Sequence, residues 1–362
     1  MTTPPRADDP PPGGADVGRW FATAAPGAGA RGRPRLPAWG PDPRGGYGLT
    51  SDDATIARAL ELVRGRRTAV LTGAGMSTGS GLPDYRGAHA VPRSPMTVQE
   101  FVGSDLARRR YWARSTVGWT SFAAARPDTA HLTLAALAAY TPIEAVITQN
   151  VDGLHQAAGS ERVIDLHGRL DVVRCLSCGA RVGRSGHDER LLAANPGFAA
   201  HLPELARDAA QAPDGDAEVD RTASFRYVPC ALCGGTLKPD VVFFGESARR
   251  EDVDAAMAAV DAAQTLLVLG SSLTVMSGLR FVRRAVSRGK DVVIVNDGPT
   301  RGDDLATVRV HGRLEDVLGA WTGELAGWGR RGRRARRARP AASAPASDPT
   351  PAPPPDQASR SS

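Results

Sequence analysis

The chain has 362 residues, 41% of them hydrophobic, which is enough to bury a core in one or two domains. It contains no run of 18 or more apolar residues and no charged segment leading into an apolar one at its start, a pattern that excludes a membrane-spanning helix and predicts a soluble, cytoplasmic protein. The formal net charge of +6 becomes −1 when the seven Arg of RRGRRARRAR (330–339) are set aside, so a nearly neutral domain is expected to carry a basic tail.

Residues 1–46 are rich in Pro, Gly and Ala without an apolar period and read as a disordered leader. The segment DDATIARALELVRG (52–65) has helical spacing, with Ser51 or Asp52 as its cap. TAVLT (68–72) is then the first of five short runs rich in Val, Ile or Leu on both faces. The others are EAVIT (144–148), RVIDLH (162–167), TLLVLG (265–270) and DVVIVN (291–296). Such runs suit a buried parallel sheet, and the helical pattern before the fourth, EDVDAAMAAVDAA (251–263), completes an α/β alternation. The fold expected is a Rossmann-like, doubly wound parallel sheet with its ligand at the carboxyl ends of the strands.

Polar and glycine-rich residues follow each of those strands. After the first comes Gly73-Ala74-Gly75-Met76-Ser77-Thr78-Gly79, whose glycines let backbone N–H groups approach a pyrophosphate and whose Ser77 or Thr78 offers a helix cap. The G-x-G-x-x-G spacing of a dehydrogenase fails, because position 78 is Thr. After the second strand stand Gln149, Asn150 and Asp152, after the third His167, after the fourth Gly270 and Ser271, and at the end of the fifth Asn296. Taken singly each suits a turn or cap; together they mark one sheet edge.

All four cysteines fall in two C-x-x-C pairs, Cys175 with Cys178 and Cys230 with Cys233, a spacing that suits one structural zinc ion with four thiolate ligands. The 51 residues between the pairs exceed a compact zinc ribbon, so a partly helical insertion near HDERLLAANPGFAAHLPELARDAA is expected inside the module.

With GAGMSTGSGLPDYRG, TQNVDGLHQAAG, LHG, the paired C-x-x-C, LKPDVVFFGE, GSSLTVMSG and VNDGPT in that order, the chain resembles the sirtuins, NAD-consuming protein deacylases, over about Asp52 to Leu325. It is most similar to their class II, lipoamidase-like branch through the long insertion, RRRYWARSTVGW (108–119) and SGLRFV. It departs from the family at Gly79, where a Glu is usual. The resemblance implies a catalytic domain at 47–328, made of a large domain (about 47–85, 130–170 and 237–328), a helical insertion (86–129) and a zinc module (171–236), followed by a disordered tail at 329–362. It further implies that NAD is a co-substrate held at Gly73, Ala74, Gly75, Ser77, Gln149, Gly270, Ser271 and Asn296, with Asp84 and Arg86 against its ribose.

Three roles follow from the same resemblance. Asn150 and Asp152 would twist the nicotinamide carboxamide and favour its departure, and the acyl oxygen would attack the ribose carbon. His167 would then act as general base toward a ribose hydroxyl. The products would be nicotinamide, O-acyl-ADP-ribose and free lysine. An extended acyl-lysine peptide would add between strand edges offered by PDVVFFGE and SLTVM. The Val241 carbonyl would receive the lysine nitrogen, Phe243 and Tyr85 would wall the acyl channel, and Val242 and Phe244 would face the core. Tyr111 and Arg114 have the Y-x-x-R spacing that grips dicarboxylic acyl groups in another sirtuin branch. Mono-ADP-ribosyl transfer to protein and a non-catalytic zinc and nucleic-acid module remain as alternatives, the Arg-rich tail offering a weak contact to nucleic acid or an acidic partner.

Overall fold

Valine-, leucine- and isoleucine-rich runs with no polar face can only be satisfied between two layers, and the computed structural model places them there. It describes residues 40–91, 95–208, 213–215 and 222–325. The described residues to Thr322 belong to one compact unit, and the chain from Gly323, with the Arg-rich run, lies almost wholly outside the described residues.

In chain order the elements are α1 (Asp53–Val63), β1 (Thr68–Thr72), α2 (Val98–Gly103), α3 (Asp105–Ala124), α4 (Thr129–Leu137), β2 (Ile143–Thr148), α5 (Leu154–Ala157), β3 (Val163–Asp165) and β4 (Gly168–Cys175). They continue with β5 (Arg181–Gly183), α6 (Arg184–Ala194), α7 (Pro196–Asp208), β6 (Leu237–Val241), α8 (Arg250–Ala262), β7 (Thr265–Leu269), α9 (Met276–Ser287), β8 (Asp291–Asn296) and β9 (Val308–His311). Asp52 caps α1, its carboxylate accepting from Thr55 N at 2.7 Å.

Six strands form a parallel sheet in the order β3-β2-β1-β7-β8-β9. The chain turns one way from β1 to β2 and the other way from β7 to β8, so the switch point lies between β1 and β7. Ala256 and Val260 of α8 and Phe281 and Val282 of α9 pack with Ala69, Leu71, Leu266 and Val268 in one core.

A second sheet, β5-β4-β6, is antiparallel. β4 alternates buried and half-buried residues except at Val172, β6 is buried at every position but Asp240, and the sheet extends the small module to residues 168–241, beyond the span 171–236 expected for it. α6 and α7 lie in the long insertion between the cysteine pairs. Arg184 of α6 is 1% exposed, pairs with Asp188 at 2.9 Å and donates to the Ser115 hydroxyl and carbonyl of α3. This buried pair ties the zinc-module insertion to the helical one.

Two expectations change. The glycine-rich loop leads into a three-residue 3-10 turn, Ala74–Met76, and the next helix begins only at Val98, so Ser77 and Thr78 cap no helix. The ordered chain also begins before residue 47. Gly40 N donates to Tyr85 O, the Tyr47 hydroxyl donates to Arg86 O at 2.6 Å, and Gly48 N donates to Asp297 Oδ1 at 2.7 Å. Residues 40–48 thus form a strap from the loop after β1 to the loop after β8; the remainder of the expected leader lies outside the described residues.

Candidate active site

A cleft of about 420 Å³ opens where the carboxyl ends of β1, β2, β7 and β8 meet the small sheet. Its floor is two interlocked turns. Gly75 N donates to Gly270 O at 2.9 Å. A Cβ on Gly73 would stand 2.8 Å from Ser271 Cβ, and one on Gly270, which has φ +60°, would stand 2.5 Å from Met76 N. Glycine is required here because backbone meets backbone at the switch point, leaving the cleft side open to a ligand's phosphates.

On the β2 side the polar residues are joined. Asn150 Nδ2 donates to Gly73 O and to Ser77 Oγ, each at 3.0 Å, and the Ser77 hydroxyl donates to Asp152 Oδ2 at 2.7 Å. Asp152 Oδ1 accepts from Leu154 N at 2.9 Å, which fixes the carboxylate at the start of α5. Gln149 Oε1 accepts from the Ser271 hydroxyl at 2.7 Å and so spans the cleft floor from β2 to β7. The Ser77 hydroxyl thus links Asn150 to Asp152 while the residue lines the cleft.

His167 occupies the two-residue passage from β3 into β4. Its Nδ1 lies 2.9 Å from Gln149 O and its Nε2 2.9 Å from Ser277 Oγ. A carbonyl oxygen only accepts, so Nδ1 carries the proton and Nε2 accepts from the serine. Removal from water pulls the ring's pKa down to about 4, Gln149 O opposing this and the Arg280 charge adding to it, so the imidazole is neutral at pH 7.

Asp84, at the other wall, accepts from Gly87 N at 2.7 Å, while its burial pushes the carboxyl above the usual range. Every expected nucleotide and catalytic residue borders this cleft, as do Tyr85, Tyr111, Val241 and Phe243. Arg114 does not line it. Tyr111 packs edge-on to Phe101 at 5.3 Å and against Phe243 at 5.1 Å, so it closes an aromatic wall.

The side chains expected to bind peptide are arranged as follows. Val241 is 7% exposed, and its carbonyl accepts from the buried Lys238 ammonium, whereas Val242 is only half-buried. This orientation follows from the pairing of Val241 with Gly168 in the small sheet, which turns Val241 inward. Residues 272–276 form no strand either, because Leu273 adopts φ +55° and breaks the extended path. The sequence also gave no role to Asp42, Tyr47, Ser277 or Arg280, all at the cleft; the Tyr in a Pro- and Gly-rich stretch was the available signal for the strap.

The four cysteines are free thiols whose sulfurs lie within 4.8 Å of one another. Cys175 Sγ is 3.5 Å from Cys233 Sγ, and Cys178 Sγ is 3.9 Å from Cys230 Sγ. A tetrahedron of thiolates about 2.3 Å from zinc has edges of about 3.8 Å, so the donor set fits a structural zinc.

A glycine-lined switch point, a neutral histidine sharing its cleft with a carboxylate–serine–amide chain and a four-cysteine module are together the features of an enzyme of the Sir2 type. The chain belongs to the Sir2 family, whose model matches residues 73–277. It is 52% identical over 278 residues to NAD-dependent protein deacetylase 1 of Mycobacterium avium (strain 104), covering 77% of this chain and 98% of that protein. It is likewise 52% identical over 265 residues to NAD-dependent protein deacetylase 1 of Streptomyces coelicolor, covering 72% and 86%. Among solved structures it is similar to a Sir2 with p53 peptide and NAD+ (30% identity, TM-score 0.58, 77% of this chain and 100% of that one). A Sir2 with the inhibitor EX-527, 2'-O-acetyl-ADP-ribose and deacetylated p53 peptide is also similar (28%, TM-score 0.59, 75% and 98%).

Proposed function

We propose that this chain is an NAD-dependent protein lysine deacylase of the class II branch, releasing nicotinamide, O-acyl-ADP-ribose and free lysine. The observation that carries the reading is the Asn150–Ser77–Asp152 chain facing a neutral, Nδ1-protonated His167 across one cleft. Relatives named NAD-dependent protein deacetylases and neighbours solved with NAD+, peptide and an acetyl-ADP-ribose product support it.

Asn150 and Asp152 hold the nicotinamide side of the co-substrate, and His167 Nε2 takes a proton from a ribose hydroxyl in the later step. Between them enters the acyl-lysine, beside the backbone of Val241 and Val242, both of which line the cleft. Phe243, Tyr85 and Tyr111 border the acyl end, and Arg114 is too far back in α3 to line it. Zinc at the four cysteines holds the small module together. The Arg-rich run is proposed as a contact for nucleic acid or an acidic protein, from its seven Arg in ten residues, and the enzyme as cytoplasmic.

The test separates the two steps. Asp152→Ala should suppress both nicotinamide release and exchange of labelled nicotinamide into NAD. His167→Ala should remove about 10²–10⁴-fold from deacylation and much less from acyl-dependent exchange. Equal losses in both variants would overturn the division of labour, and labelled adenylate on protein rather than on a free acyl product would replace deacylation by ADP-ribosyl transfer.

A further inference from the structure

His167 is gripped at three points, one of them by Ser277, which lies in the GSSLTVMSG segment and to which the sequence assigned no role. Its carbonyl accepts from Val242 N at 2.8 Å, Nδ1 donates to Gln149 O, and Nε2 accepts from the hydroxyl of Ser277. Ser277 stands in the first turn of α9, a twelve-residue helix anchored in the core by Leu279, Phe281, Val282 and Ala285. The hydroxyl is thus delivered from a rigid element. Next to it, Gly278 allows α9 to close on β2, since a Cβ there would stand 2.9 Å from the Gln149 side chain. The residue whose carbonyl fixes Nδ1 and the helix whose serine fixes Nε2 are therefore pressed together as a clamp.

We propose that Ser277 is a positioning residue for His167: its hydroxyl holds the Nε2 lone pair toward the cleft and is exchanged for the substrate hydroxyl that this nitrogen deprotonates. The inference rests on the reading of His167 as the general base. A donor on Nε2 stabilises the neutral ring, and once that nitrogen is protonated the hydroxyl must rotate its hydrogen away and accept instead, which forfeits the bond that favoured the neutral form. Facing the ring with a charge is Arg280, one turn further along α9. Asp152 and Glu246 border the same cleft from the β2 and β6 sides, while Gln149 and Val242 present only backbone groups to His167. Once Ser277 is released, the same Nε2 is the atom that a cleft-bound hydroxyl meets.

Ser277→Ala should lower the deacylation kcat about tenfold, leave KM for NAD within about twofold, and leave acyl-dependent nicotinamide exchange unchanged, because exchange precedes the proton transfer. The acid limb of its kcat/KM profile should move up by about half to one pH unit, the size expected from losing one hydrogen bond to the neutral ring. Ser277→Thr keeps a hydroxyl and should restore most of the turnover and the acid limb. Full turnover with an unmoved acid limb in Ser277→Ala would overturn the proposal, as would equal falls in exchange and deacylation, which would make Ser277 part of the NAD cleft. If His167→Ala itself deacylates normally, the failure lies in the general-base reading; if His167→Ala is inactive and Ser277→Ala is silent, it lies with Ser277.

Discussion

Ser77 donates to one carboxylate oxygen of Asp152 and accepts from Asn150, so a single hydroxyl sets the spacing of two groups assigned to nicotinamide. Its replacement by Ala leaves the carboxylate short of a donor in a shielded site. A hydrogen bond to a charged group is worth about 1.5–3 kcal/mol, so Ser77→Ala should lower nicotinamide exchange by about 10–100-fold. An exchange assay at saturating NAD checks this, and unchanged exchange would detach Ser77 from the chain. The sequence brought Ser77, Asn150 and Asp152 to one edge through the strands before them. It could not show that the serine's partner lies 75 residues away. For the same reason the inward face of PDVVFFGE is not legible: alternation defines two faces, but burial of Val241 and Phe243 rather than Val242 and Phe244 depends on pairing with Gly168, in a sheet whose strand GRLDVVRC carries too many charges to be recognised.

At the scale of elements, apolar runs identified β1, β7 and β8 because their residues are buried on both sides, which only a central parallel strand requires. β9 escaped notice because VRVH has a single fully buried apolar position, Val310. The strap at 40–48 was hidden by its Pro- and Gly-rich composition, a property of open chain and of tight turns alike. Because Tyr47 binds the Arg86 carbonyl and Gly48 binds Asp297, the strap joins two loops that border the cleft. A protein truncated to begin at residue 49 should therefore bind NAD more weakly, with KM for NAD raised about 3–10-fold, about one or two lost hydrogen bonds, and a lower Tm. A full-length protein and a form beginning at residue 40 should match in both measurements. Equal KM in the protein beginning at residue 49 would reduce the strap to a surface contact.

Over the whole molecule, acid stability follows from histidines held uncharged. Burial draws His155 and His187 down to about 3 and His167 to about 4, against about 6.5 in an unfolded chain. Between those values the unfolded chain binds more protons, so the stability these residues confer is complete above pH 6.5 and is lost as pH falls toward 4 and then 3. Asp188, raised to about 6 by burial, works in the opposite direction, its contribution being present below pH 3.8 and lost as pH rises through 6. Burial raises Asp84 and Asp165 in the same direction as Asp188, and lowers His311 with the other histidines. The three large histidine shifts dominate, so Tm measured from pH 7.5 to 4.5 should fall below 6.5, and His187→Phe should flatten part of that fall; a flat profile for the native chain would contradict it. His167 has one more property at this scale, which comes from the brevity of the path between the two sheets. Gly168, the next residue, has φ +76° and no room for a Cβ beside the Asp240 carbonyl, so the chain crosses from parallel to antiparallel sheet in a rigid step. On the proposed assignment the co-substrate is bound mainly by one sheet and the peptide by the other, and the base is the joint between them. A ligand that shifted one layer against the other would turn the imidazole and so couple the two sites, and by linkage that coupling is the same in both directions, NAD changing the affinity for acyl peptide by the factor with which the peptide changes that for NAD.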